Sequence, residues 1–84
     1  MTVKLFKLSN GEELIAEELE GGVVKRPRTL RLLDDGRPGL MPFIMLAPES
    51  EVKLNQDHVV ASVEATQEVS KMYLQQVSGI QLMS

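Results

Sequence analysis

Residues 3–19 read Val3-Lys4-Leu5-Phe6-Lys7-Leu8-Ser9-Asn10-Gly11-Glu12-Glu13-Leu14-Ile15-Ala16-Glu17-Glu18-Leu19, and how this stretch pairs with itself decides the fold. In an extended chain successive side chains point to opposite faces, which puts Val3 and Leu5 on one face and Phe6 and Leu8 on the other. Asn10-Gly11 is the pair preferred where a two-residue hairpin turn demands positive φ, so a hairpin is expected. In the return segment, residues 13–19, Ile15 and Leu19 share one face and Leu14 and Ala16 the other. An amphipathic helix is the competing reading. Seven residues before Gly21-Gly22 are too few for an average helix, so length favours a strand.

Outward from this hairpin the strand pattern continues. Residues 23–33, Val23-Val24-Lys25-Arg26-Pro27-Arg28-Thr29-Leu30-Arg31-Leu32-Leu33, predict a third strand. It must bend, bulge or lie at an edge at Pro27, which has no N–H to give to a ladder. Asp34-Asp35-Gly36-Arg37-Pro38-Gly39 is the densest turn signal in the chain. The run Leu40-Met41-Pro42-Phe43-Ile44-Met45-Leu46 is apolar throughout and predicts a strand that wants cover on both faces, while Pro42 points to an edge. Another subunit reconciles the two. After Ala47-Pro48-Glu49-Ser50, alternation resumes in Glu51-Val52-Lys53-Leu54 before the polar turn Asn55-Gln56-Asp57, and residues 59–63 make the final strand. The period then changes from strand to helix at Thr66, whose side chain suits an N-cap, with Glu68 in the first turn. Val69, Met72, Tyr73, Gln76 and Val77 mark one helical face, and Gly79 stands where a left-handed C′ residue belongs, with Ile80 folding back towards Leu74.

Composition sets the frame. With 84 residues, 43% of them apolar, the chain suits one soluble globular domain: a barrel over residues 1–65 with the helix and tail of residues 66–84 packed on it. A domain this small buries only about 60% of its unfolded surface and usually needs a staple. Cysteine is absent, which removes disulfides and thiolate metal sites and leaves association with other copies. No apolar run approaches the roughly 20 residues of a membrane span, and Met1 leads into an alternating pattern without an apolar leader, so an intracellular protein with no membrane partner is expected. A net charge of −3 argues against general affinity for nucleic acid. Nor is an enzyme expected: the single histidine, His58, lies in the strand pattern Asp57-His58-Val59-Val60, and the glycines form no phosphate-cradling loop. No metal site and no cofactor are expected.

Five short, densely punctuated strands and one appended helix predict an all-β domain with one helix, a strongly bent antiparallel barrel of the SH3-like kind. Over residues 3–63 the spacing resembles the Sm-like, or LSm, superfamily, and more closely the small Sm-like proteins carried by marine cyanophages. Leu8-Ser9-Asn10-Gly11-Glu12-Glu13-Leu14-Ile15-Ala16 is similar to the first Sm motif, with Ala16 where the family usually has glycine. Val52-Lys53-Leu54-Asn55-Gln56-Asp57-His58-Val59-Val60 keeps the length and apolar spacing of the second. Asn55-Gln56 replaces the family's Arg-Gly there, and Lys25 and Thr29 stand near where its base-pocket Asp and Asn would fall. Family members also typically begin with a helix, whereas this chain begins with a strand pattern.

The resemblance implies a cyclic homo-oligomer of roughly five to seven subunits, closed by edge-strand pairing, in the cytoplasm of a phage-infected bacterial host. Leu40, Met41, Phe43, Ile44 and Met45 on one side and Val59, Val60 and Val63 on the other are the expected mates. Two functions from different classes then follow. In the first, the ring binds single-stranded RNA weakly. The basic cluster Lys25, Arg26, Arg28, Arg31 and Arg37 with Thr29 would form one face, and Asn55, Gln56 and Asp57 the pore loop. In the second, the ring is a structural or protein-interaction scaffold that holds a partner through Met41, Phe43 and Met45 or through the helix face, and the basic cluster is a solvated or salt-bridged strand face.

Overall fold

The computed structural model describes residues 2–82, with side chains described through residue 77. The elements are β1 (Thr2–Leu8), β2 (Glu13–Glu18), β3 (Val23–Leu32), β4 (Pro38–Pro42), β5 (Glu51–Lys53), β6 (Val59–Glu64) and α1 (Gln67–Leu82). They form one antiparallel sheet in the order β4-β3-β2-β1-β6, with β5 paired beside β4 on the long strand β3. The sheet is bent but not closed. Six strands stand where a five-stranded barrel was expected: the segments around 40–46 and 51–54 each supply a separate short strand to β3, and the first ends at Pro42 because the apolar run does not stay extended. Residues 38–42 pair with the C-terminal half of β3, the chain then turns, and β5 takes the N-terminal end of β3 at Val23–Lys25.

The opening hairpin forms in the expected register, with Leu5 opposite Ile15 and Phe6 opposite Leu14. Its turn is one residue longer than the Asn-Gly pattern predicts. Gly11 N donates to Leu8 O at 2.9 Å and Leu8 N to Glu12 O at 2.9 Å, with Gly11 at φ 90°. This is a turn closed by a left-handed glycine, which adds a bulge and so twists the ribbon. The β3–β4 connection repeats it: Gly36 N donates to Leu33 O at 2.9 Å, Leu33 N to Arg37 O at 2.8 Å, and Gly36 has φ 85°.

The two faces of the sheet carry two cores, as the alternation of β1 and β2 predicts. Phe6, Leu14, Ala16, Val24 and Leu54 fill the concave side, joined by half-buried Leu8, Phe43, Val52 and Val59. Val3 and Ile15 lie on the other side under α1, where Tyr73 and Val77 are fully buried against them. Thr66 caps the helix, accepting from Val69 N at 3.3 Å. Gln76, expected on the packed face, is exposed, because Tyr73 and Val77 centre the contact one residue away from it. Gly79 does not end the helix, which continues to Leu82; one glycine costs a helix only about 1 kcal/mol. The expected contact of Ile80 with Leu74 lies outside the described side chains. Among the described residues, no helix is long and apolar enough to cross a membrane.

Candidate functional site

Pro27 dictates the local geometry of β3. Ile15 pairs with Arg28 and Glu17 with Lys25, so three steps along β3 oppose two along β2, which is a bulge at Arg26-Pro27. Arg26 there has φ 51°, a conformation that costs a non-glycine residue of order 1–3 kcal/mol unless its surroundings fix it. They do. Its N–H donates to Ser50 O at 3.2 Å, its carbonyl accepts from the Tyr73 hydroxyl at 2.9 Å, and its guanidinium lies 4.0 Å from Glu17 and 3.7 Å from Glu49.

Arg28, two residues on, is 2% exposed. Its Nη1 donates to Pro48 O at 2.7 Å and its Nη2 to Glu49 Oε2 at 3.0 Å. The carboxylate of Glu49 therefore bridges both arginines, one oxygen to each. Glu17 is itself 7% exposed, directly after the apolar run Leu14-Ile15-Ala16 of β2. Among the described residues, no buried side-chain nitrogen or oxygen lacks a hydrogen-bond partner. Burial, with Glu17 nearby, raises the Tyr73 hydroxyl to about 12 against an opposing pull from Arg28 and Arg26.

The residues expected to contact RNA are thus not gathered in one patch. Arg26 and Arg28 are turned to the interior network and Thr29 is buried. Lys25 is half-buried and makes no ion pair among the described residues. Arg31 and Arg37 are exposed at the far end of the β3–β4 hairpin, beside Glu12 (4.0 Å) and Asp35 (2.6 Å). Asn55, Gln56 and Asp57 sit at the other end of β3, where Asn55 accepts from Asp57 N at 3.0 Å and Gln56 donates to Leu54 O at 3.2 Å. About 20 Å of strand path separates Lys25 from Arg31. Sequence reasoning misses Glu17, Glu49 and Tyr73 as members of this network. The available signals are an Arg-Pro-Arg triplet in an apolar strand and an acid, Glu17, directly after the apolar run Leu14-Ile15-Ala16.

The apolar residues divide differently. Leu40, Phe43 and Val59 are half-buried against the cores, whereas Met41, Ile44, Met45 and Leu46 are exposed beyond or at the end of β4, Leu46 at 98%. Val60 (64%) and Val63 (57%) are exposed on β6. β6 pairs only with β1, and β4 and β5 only with β3, so each leaves one strand edge unpaired among the described residues. On the concave side a cleft of about 270 Å³ lies open, lined by Phe6, Val24, Leu54, Gln56 and Val59. No protein-family model matches the chain and no curated protein is similar to it, so these surfaces carry the functional argument.

Proposed function

We propose that this chain is a non-catalytic, Sm-like module that assembles head-to-tail into a closed homo-oligomeric ring. The carrying observation is that the sheet ends in two free edges at opposite sides, β6 and the β4–β5 side, each bearing exposed apolar side chains. An unpaired apolar edge is a template for adding a strand, and an edge that meets a different edge makes a heterologous contact. Repetition of such a contact closes into a ring when the rotation permits and leaves no edge exposed. The bulges in β3 and β6, which add twist to the sheet, and the strand spacing of the Sm-like resemblance support closure over an open fibre. Sedimentation equilibrium at micromolar concentration tests this: a discrete oligomer is expected, and a folded monomer overturns it. Ile44→Asp and Val63→Asp, one on each side, should each dissociate the oligomer, because a carboxylate buried without a partner is strongly disfavoured.

Single-stranded RNA binding is the second reading. Its support is the exposure of Arg31 and Arg37, with 61% and 75% of their side chains accessible. A ring would present several copies of that hairpin and multiply a weak contact by avidity. A scaffold that holds a protein partner draws instead on Met41 and Met45, whose flexible side chains suit adaptable contacts.

A further inference from the structure

The loop between β4 and β5 exposes three consecutive large apolar residues, Ile44 (40%), Met45 (63%) and Leu46 (98%). An unanchored segment of this kind would fold its side chains back onto the nearest apolar surface. Here its backbone is fixed from end to end by the β3 kink. Phe43 N donates to Pro27 O at 3.0 Å, Arg28 reaches Pro48 O and the Glu49 carboxylate, and Arg26 N donates to Ser50 O. Inside the loop, Ala47 N donates to Ile44 O at 3.1 Å, and both the amide and the hydroxyl of Ser50 donate to Ala47 O. Three successive residues of β3 thus hold both ends of one loop, whose apolar tip stands in solvent.

A buried guanidinium is a poor device for stability alone, since apolar residues of similar volume often replace a buried ion pair at no loss. What the pair supplies is direction: a two-pronged donor fixes a carbonyl and a carboxylate in one relative position. Resting on the ring reading above, we infer that Arg28, through Pro48 and Glu49, is the positioning residue of the assembly surface. It presents Ile44, Met45 and Leu46 to the β6 edge of a second copy. The occupant follows from the molecule's own surface: Val60 and Val63 are exposed on β6, the other free edge and the one a head-to-tail neighbour would bring. Preordering the loop lowers the conformational entropy lost on association.

The test uses the full chain with Glu49→Gln, which keeps the shape and removes the charge at a half-exposed position, and with Arg28→Lys, which keeps the charge and removes the second prong. Hydrogen exchange and sedimentation equilibrium are read together. Exchange at the Phe43, Ala47 and Ser50 amides should accelerate about tenfold or more, and the ring should dissociate at about tenfold higher concentration. Amides of Phe6 and Leu14 should keep their protection. Should Arg28→Lys fail to fold, Glu49→Gln alone carries the test. Unchanged loop exchange in folded Glu49→Gln overturns the anchor, and faster loop exchange with unchanged assembly overturns the positioning role. If Ile44→Asp dissociates the ring while Glu49→Gln does neither, the ring reading stands and this inference fails. A monomeric wild-type protein removes both.

Discussion

The Tyr73 hydroxyl lies 2.9 Å from the carbonyl oxygen of Arg26, the single non-glycine residue with positive φ among those described. A helix residue thus fastens the kink of a strand 47 positions away, and it does so only while it carries its proton. Its hydroxyl, held up to about 12 chiefly by burial and by Glu17, keeps that proton when an unfolded tyrosine near 10 has lost it. The stabilisation is therefore complete below pH 10 and is lost as pH rises from 10 to about 12, about 2–3 kcal/mol in all. Tyr73 is the only tyrosine and there is no tryptophan, so its absorbance reports the titration directly. Tyr73→Phe should cost about 1 kcal/mol at neutral pH and flatten the alkaline fall in melting temperature. An alkaline fall unchanged by Tyr73→Phe would assign it to other groups.

Gly11 and Gly36 close twin turns with φ of 90° and 85°, and a Cβ at either would meet nothing within 4 Å. Substitution there is a test of backbone conformation alone. Gly11→Ala and Gly36→Ala should each destabilise by about 1 kcal/mol, and the asparagine variants by less, because asparagine tolerates the left-handed region. Equal effects of alanine and asparagine in chemical denaturation would point to something other than φ.

Leu14 and Leu32 look alike in the alternating pattern, yet Leu14 is fully buried and Leu32 is 79% exposed near the hairpin tip. Leu14→Ala should cost about 2–5 kcal/mol, and Leu32→Ala within about 0.5 kcal/mol. A large loss of stability at Leu32, measured on a dilute sample below any association, would mean that the hairpin tip is covered.

What the sequence discloses and what it hides differ in range. The two faces of β1 and β2 are legible because alternation is a local property: Phe6 and Leu14 take one core, Val3 and Ile15 the other. The Thr66 cap is equally local. The break after Pro42 is not, since Phe43 makes a last bond to Pro27 on the neighbouring β3 and Arg28 holds Pro48 from 20 positions away. For the same reason Arg28 reads as a surface cation in the sequence. Arginine is seldom buried without a partner, and Glu49 is identifiable as the partner only once β3 and the loop are side by side.

Nucleic acid supplies the last test, and the placement of the arginines changes which ones it must target. Arg26 and Arg28 are bound to Glu17 and Glu49, so replacing both with alanine should lower stability by about 3 kcal/mol or more through the acids left unpaired, whatever the protein binds. The exposed pair is Arg31 and Arg37, whose partners Glu12 and Asp35 are weak competitors for a phosphate because surface ion pairs are worth little. If RNA binds, the binding should be single-stranded, weak and salt-dependent. Arg31→Ala with Arg37→Ala should then flatten the dependence of log affinity on log salt by about 0.7 for each phosphate no longer neutralised. Fluorescence anisotropy with labelled oligo-uridine and oligo-adenosine over a salt series reads this slope directly. The scaffold reading makes the contrary forecast: a ring of subunits each carrying −3 repels a polyanion, shows no binding even at low salt, and keeps its mass when Arg31 and Arg37 are removed.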